Sequence, residues 1–82
     1  MSKFIWTDRA KDQLRVIDRE QAIAILHALT DYAKSGKGQI KKLKGTGDLR
    51  LRVGDYRVRF EAAGEDTYRI LRVNHRKEAY RS

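Results

Sequence analysis

The 82-residue chain is strongly basic: 37% of its residues are charged, 40% are hydrophobic, and the formal net charge is +8. This length predicts one domain over residues 1–82 with a thin core, and it leaves no room for a separate cofactor module. The lack of cysteine excludes disulfides and thiolate metal sites. No apolar run approaches the ~20 residues of a membrane span, and the first residues lack an apolar leader, so we expect a cytoplasmic protein without membrane association.

The first half of the chain carries the patterns of one strand and two helices. Residues 3–7 form a short apolar and aromatic run that suits a strand. A first helix should then extend over about residues 7–17. Asp18, with Gln21 three residues later, resembles a capping box that begins a second helix. This helix should end at Gly36, which can adopt the left-handed conformation. The two segments together predict a helical hairpin, and the alternative is a single kinked helix.

The second half carries three strand patterns. Residues 49–53 and 56–60 alternate strictly between apolar and basic side chains. Gly54-Asp55 between them fits a two-residue hairpin turn with glycine in the first position. Residues 67–73 are apolar on both faces, which predicts a strand in the interior of the sheet.

A loop at residues 36–39 and a basic connector at residues 40–47 should join the helices to these strands. The order of the elements predicts an α+β fold. It consists of an N-terminal strand, a helical hairpin and an antiparallel three-stranded meander. The helices should pack on one face of the sheet.

The positive charge is concentrated in the middle of the chain. Residues 34–59 hold nine basic residues against two acidic ones, a net +7 in under a third of the sequence. Such concentration is typical of a protein that binds a polyanion. The alternative is a solvated basic surface that only keeps the protein soluble.

The hairpin register places four arginines on one face of the sheet. With a turn at residues 54–55, Arg52 lies opposite Arg57, and Arg50 lies opposite Arg59. Like charges directly across an antiparallel pair are destabilising, so this arrangement favours a face that normally holds phosphates. Arginine binds phosphate bidentately and keeps its charge. The alternative is an arginine-rich solvent face whose long stems cover apolar surface.

Two further groups of residues are candidates for the same site. The connector lysines Lys41, Lys42 and Lys44 either extend the phosphate-binding face or form an ordinary solvated loop. After the last strand, His75 and Tyr80 can exchange protons and Arg76 can stabilise a phosphate transition state. Such a set suits attack of a ribose 2′-hydroxyl on the adjacent phosphate, or it packs against the edge of the sheet. No carboxylate cluster has metal-ligand spacing, so we expect neither metal nor other cofactor.

The whole chain resembles the RelE/ParE toxin superfamily, the toxin halves of bacterial and archaeal toxin–antitoxin pairs. The resemblance implies the fold predicted above: a first strand, a helical hairpin and a three-stranded meander. It rests on Leu43-Lys44-Gly45, on the run LRLRVGDYRVRF at residues 49–60, and on Val73-Asn74-His75-Arg76 followed by Tyr80.

The motifs are closer to the RelE-like branch, whose members cleave mRNA in the ribosomal A site by 2′-hydroxyl attack. By position, the resemblance implies catalytic roles for Arg57, Arg76 with His75, and Tyr80, and phosphate-binding roles for Arg50 and Arg52. Arg59 and the three connector lysines join the phosphate-binding set on charge alone.

This sequence departs from the family pattern at two positions. Asp48 stands where the family has a lysine, and the spacing from Arg76 to Tyr80 is shorter than in the archetype. The general base therefore stays open among Tyr80, His75 and Glu78.

Three functions remain in contention on the sequence. The first is a ribosome-dependent mRNA endonuclease that a cognate antitoxin holds inactive. The second is a ParE-like inhibitor of DNA gyrase, and the third is a catalytically inactive RNA-binding relative. In each toxin case the expected partner is an antitoxin that lays an acidic or amphipathic segment over the basic face or the helical hairpin. The toxin and antitoxin would then form a hetero-oligomer, while the ribosome and mRNA are the expected targets.

Overall fold

The computed structural model describes residues 2–45 and 47–79, and it has the α+β architecture expected from the sequence. Five strands form one sheet. In the sequence, two longer helices follow the first strand and precede the other four. In chain order the elements are β1 (Lys3–Trp6), α1 (Asp8–Arg15), α2 (Arg19–Ser35), β2 (Gln39–Lys42), β3 (Leu49–Val53), β4 (Tyr56–Gly64), β5 (Thr67–His75) and α3 (Arg76–Ala79).

The strands lie in the order β1-β5-β4-β3-β2. Strands β3, β4 and β5 form the predicted antiparallel meander, and β1 pairs parallel with β5, which confirms that β5 is an interior strand. The prediction of an irregular connector over residues 40–47 is wrong at its beginning. Residues 39–42 form the edge strand β2, because Ile40 pairs with Leu51 and packs against the core.

The ends of the two helices are fixed in different ways. Thr7 caps α1, since its hydroxyl accepts a hydrogen bond from the Ala10 amide at 3.2 Å. Gly36 ends α2 in the left-handed conformation with φ of 72°, as predicted, and its amide donates to the Tyr32 carbonyl at 2.7 Å. The predicted capping box is wrong, because the Asp18 side chain makes no cap hydrogen bond.

The core lies between the helices and one face of the sheet. Phe60 is fully buried at its centre and makes edge-to-face contacts with Tyr32 from α2 and Tyr68 from β5, at ring-centroid distances of 5.5 and 5.8 Å. We call this side of the sheet the inner face and the opposite side the outer face. The buried hydrophobic residues are Ala10, Ile25, Leu29, Leu51, Val58, Phe60, Ile70 and Val73. No helix in the described part of the chain is long and apolar enough to cross a membrane.

A β-bulge changes the interpretation of β5. The register passes from Phe60 opposite Ile70 to Arg59 opposite Arg72, so that Leu71 is an extra residue without an opposite partner. Ile70 and Val73 are therefore both buried on the inner face, although their spacing of three does not match a regular strand. The apolar run that suggested burial on both faces instead reflects this irregularity.

Candidate phosphate-binding face

The β3–β4 hairpin has the register that the sequence predicted. Arg50 is opposite Arg59, and Arg52 is opposite Arg57. The alternate residues, such as Leu51 and Val58, are buried on the inner face, so all four arginines belong to the outer face. Gly54 forms the turn with φ of 56°, a conformation that favours glycine.

The outer face carries two rows of side chains that run across four neighbouring strands. The first row consists of four cations, and the second contains two arginines between two amides. By register, the first row is Lys41, Arg50, Arg59 and Arg72, and the second is Gln39, Arg52, Arg57 and Asn74.

Arg72 belongs to this face, although sequence reasoning did not select it. In a regular strand Arg72 would share the side of Ile70 and point toward the core. The bulge at Leu71 reverses that side and brings Arg72 opposite Arg59. The sequence does contain a signal for this bulge, namely two apolar residues, Ile70 and Val73, three positions apart. A strand cannot bury both of them on the same face unless it contains an irregularity.

Three of the arginines have no acidic partner in the described part of the chain. Arg50 and Arg52 form no side-chain hydrogen bond or ion pair with any described residue. The Arg57 guanidinium donates to two backbone carbonyls, those of Gly54 at 3.2 Å and Tyr56 at 3.0 Å. A carbonyl does not neutralise a cation, so the positive potential of these three side chains remains available to an anion.

Arg59 differs from the other three because it is paired. Its Nε donates to Oδ2 of Asp48 at 2.8 Å, and Asp48 is only 7% exposed. In the sequence, Asp48 is notable only as an acidic residue at the position of a family lysine. In the structure its carboxylate compensates one cation in the middle of the first row. A role for Arg59 in binding RNA stays a prediction.

Replacing Asp48 by asparagine should lower the free energy of unfolding by about 1–3 kcal/mol, because the charge-assisted hydrogen bond between the nearly buried carboxylate and Arg59 is removed. RNA binding should become tighter, since one negative charge near the outer face is removed. Chemical denaturation and RNA titration measure the two effects. Asp12→Asn is the control. Asp12 is also paired with an arginine, since its Oδ1 lies 3.9 Å from Arg15 Nη1, but both of these side chains are exposed. Equal stability of the two variants would contradict a structural role for Asp48.

The remaining candidates near the end of the sheet do not all share this face. His75 pairs with Tyr56 in register, and their rings contact edge to face at 5.4 Å on the inner side. The His75 Nδ1 accepts from the Lys77 amide at 3.3 Å. His75 and Arg57 therefore lie on opposite faces of the sheet, although both are close to the β3–β4 turn.

Arg76 begins α3 beside the same turn. Its amide donates to the Asp55 carbonyl at 2.7 Å, and its Nε lies 3.8 Å from Asp55 Oδ1, with both side chains more than half exposed. The guanidinium is thus held loosely and can turn toward a bound anion. Tyr80 and the side chain of Glu78 lie outside the described residues.

The connector lysines are separated by the structure. Lys41 lies on the outer face in register with Arg50, whereas Lys42 is opposite Leu49 and belongs to the other side of β2. Lys44 is exposed in the turn after β2.

Among the described residues, no three histidine, aspartate or glutamate side chains are grouped so that they could hold a metal ion.

Comparison with known proteins gives the chain its family. A family model described as the ParE toxin of the type II toxin-antitoxin system, parDE, matches residues 4–80. No curated protein sequence matches the chain.

Several solved structures are similar to it. One is the RelB-RelE antitoxin-toxin complex from Methanococcus jannaschii, at 29% identity and a TM-score of 0.76, covering 94% of this chain and 95% of the other. A second is the toxin-antitoxin complex RelBE2 from Mycobacterium tuberculosis, at 26% identity and a TM-score of 0.75, covering 90% and 96%. The chromosomal ParDE system from P. aeruginosa shares the fold, at 19% identity and a TM-score of 0.58, covering 92% and 96%. With a family match across nearly its whole length, the chain belongs to the ParE toxins of type II toxin–antitoxin systems, within the RelE/ParE superfamily.

Proposed function

We propose that this toxin inhibits translation by cleaving mRNA on the ribosome, in the cytoplasm. The observation that carries the proposal is the outer face, where Arg50, Arg52 and Arg57 have no acidic partner among the described residues and the Arg57 guanidinium donates to two backbone carbonyls. Adjacent cations on a sheet destabilise the free protein, and an RNA backbone removes that cost while releasing its own counterions. The RelE-like features of the sequence and the similarity to RelE complexes also support this branch.

The chemistry proposed is attack of a ribose 2′-oxygen on the adjacent phosphorus. The new 2′-O–P bond forms as the P–O5′ bond breaks, leaving a 2′,3′-cyclic phosphate and a 5′-hydroxyl. Arg52 and Arg57 would stabilise the negative charge that builds on the phosphoryl oxygens. The 2′-hydroxyl proton passes to a base, and the departing 5′-oxygen receives a proton, so the reaction needs no metal.

We assign the base to the end of β5 and the segment that follows it, where His75, Glu78 and Tyr80 are the candidates. His75 is half-buried against Tyr56 on the inner side of the sheet, so it must reach the scissile ribose around the beginning of β4, beside the β3–β4 turn. His75→Ala, Glu78→Gln and Tyr80→Phe together decide among them in a cleavage assay. The base is the residue whose loss reduces the rate without reducing RNA binding.

The cognate antitoxin would bind the same outer face. The similar solved structures are complexes of a toxin with its antitoxin, and an acidic segment across Arg50, Arg52 and Arg57 would neutralise their charge and exclude RNA. The resulting hetero-oligomer stores the toxin in an inactive form.

A second function is favoured by one specific observation. The matching family model is that of ParE, and the described residues do not place His75 on the cationic face with Arg57. A ParE-like toxin would instead inhibit DNA gyrase, and the outer face would then contact the gyrase protein or its DNA.

A paired assay tests both functions on the same preparation. Purified toxin is incubated with ribosomes engaged on an mRNA, and cleavage is mapped by primer extension. The same toxin is added to purified gyrase in a supercoiling reaction. We expect ribosome-dependent cuts and unchanged supercoiling. Intact mRNA together with inhibited supercoiling would replace the proposal with the gyrase function, and no effect in either assay would indicate an inactive relative.

A further inference from the structure

A cleft of about 440 Å³ lies between the beginning of α1 and the bulged part of β5. Its lining contains three arginines from three different elements: Arg9 from α1, Arg59 from β4 and Arg72 from β5, together with Thr7 and Leu71. The geometry points to a second phosphate-binding subsite at Arg9 and Arg72, on which a single-stranded RNA continues beyond the region of Arg50 and Arg57. This inference deepens the proposed function and rests on it for the choice of RNA as the ligand.

The cleft is built by a specific set of contacts. The Thr7 hydroxyl lies 2.9 Å from the Ile70 carbonyl and 3.2 Å from the Leu71 carbonyl, and it accepts from the Ala10 amide. A single side chain therefore joins the bulge of β5 to the first turn of α1. Because the bulge aims Arg72 outward and Thr7 fixes where α1 begins, Arg9 is brought to the same cleft as Arg72.

The charges of the cleft favour an anion. Arg72 is half-buried opposite Arg59. Arg59 itself forms an ion pair with Asp48. Among the described residues, neither Arg9 nor Arg72 forms an ion pair, and Asp8, the acid next to Arg9 in sequence, does not pair with it. The cleft therefore keeps two guanidinium groups, one exposed and one half-buried, that no described acid compensates, and each can bind a phosphate through two parallel hydrogen bonds.

The first row of cations connects this cleft to the rest of the outer face. Lys41, Arg50, Arg59 and Arg72 occupy neighbouring positions on four strands, so the row spans about 14 Å at the usual spacing of strands. Arg9 extends it beyond β5. Nearer the β4–β5 turn, Glu61 and Arg69 form an ion pair at 2.7 Å, so the charge there is balanced. An RNA strand on this row crosses the strands of the sheet and ends at α1.

The subsite is tested by the salt dependence of RNA binding, without ribosomes. The ligand is a 2′-O-methylated uridine RNA of about 12 nucleotides, long enough to cover the face and resistant to cleavage. The double variant Arg9→Gln/Arg72→Gln should bind at least about tenfold more weakly. The slope of log K against log salt should become shallower by about 0.7 for each phosphate that the variant no longer neutralises.

Two further variants separate the subsite from general charge and from misfolding. Arg15→Gln/Lys34→Gln removes the same charge from exposed positions on the helices and should leave the slope within about 0.3 of the parent, since these side chains touch no phosphate. Arg9→Gln alone changes an exposed residue and should give the slope change expected for one phosphate. The thermal midpoint of each variant is followed by circular dichroism.

The outcomes distinguish this inference from the proposed function. A slope in the double variant equal to that of the helix control would overturn the subsite, even if mRNA is cleaved on ribosomes. The expected slope change with no cleavage on ribosomes would support the subsite and contradict the proposed function. A parent protein that binds no RNA would overturn both.

Discussion

Replacing Arg52 by glutamate should abolish the activity of the toxin while leaving the fold intact or slightly more stable. Arg52 is exposed at the centre of the outer face and forms no ion pair with a described acid. On the proposed function the change removes a charge-assisted interaction with a phosphate, worth about 1.5–3 kcal/mol, and adds repulsion, so we expect at least about a 100-fold loss of mRNA cleavage. The new carboxylate would lie opposite Arg57 and convert a like-charge pair into an opposite-charge pair.

Three measurements on this variant separate a loss of activity from a loss of the fold. Cleavage of ribosome-bound mRNA gives the loss of activity, growth of cells that express the toxin gives the loss of toxicity, and denaturation gives the stability. Arg52→Lys should retain part of the activity, because it keeps the charge but not the bidentate fork. Arg15→Glu, on the exposed side of α1, is the matched charge reversal. If Arg52→Glu cleaves mRNA as fast as the parent, the outer face does not bind the substrate.

Replacing Phe60 by alanine should lower the free energy of unfolding by about 3–5 kcal/mol. Phe60 is fully buried and contacts the rings of Tyr32 and Tyr68, so truncation leaves a cavity between the sheet and α2. A domain of this length is stabilised by roughly 4–12 kcal/mol. At the lower end of this range the loss removes nearly all of the stability, so that the variant is largely unfolded at physiological temperature and its toxicity falls for that reason alone.

Guanidinium denaturation followed by circular dichroism measures this loss. Val16→Ala is the matched control, because Val16 is 86% exposed and such a change usually alters stability by less than about 0.5 kcal/mol. A decrease of under about 1 kcal/mol for Phe60→Ala would mean that the core closes around the cavity. The contrast with Arg52→Glu separates the two causes of inactivity, since one variant loses the fold and the other loses the phosphate-binding face.

The β3–β4 hairpin could be predicted from the sequence in full, because two independent constraints fix it. Strict alternation defines which side chains face the core, and the Gly54-Asp55 turn defines which residues are opposite one another. A slip by one residue would bury Arg50 and Arg52, at a cost that no small domain can bear. The position of the four arginines on one face follows from the same constraints.

Strand β2 was not predictable, because its residues show only one apolar side chain among polar ones. Ile40 becomes a strand residue through its pairing with Leu51 on a neighbouring strand, and β propensity depends on such neighbours more than on the segment itself. The ion pair of Asp48 with Arg59 depends in the same way on an interaction between residues eleven positions apart. Neither has a signature in local sequence.

The face of the sheet on which His75 lies could not be predicted from the sequence, for a different reason. The order of His75 and Arg76 after the last strand suggested one cluster with the arginines of the hairpin. The bulge at Leu71 instead fixes His75 on the side of Val73 and Tyr56, while Asn74 lies opposite Arg57. Sequence proximity to the end of a sheet does not determine which face a side chain occupies, because one irregularity upstream reverses the alternation.

The bulge also determines which changes of chain length β5 tolerates. Deleting Leu71 would leave a regular strand in which Arg72 stays on the outer face and Val73 on the inner one, although Thr7 would lose one of its two carbonyl neighbours. Inserting a residue between Val73 and Asn74 without a second bulge would instead move Asn74 to the inner face and His75 to the outer face. Among relatives of this toxin, the segment between the positions of Ile70 and Val73 should therefore hold either one residue or two, while the segment from Val73 to His75 keeps its length.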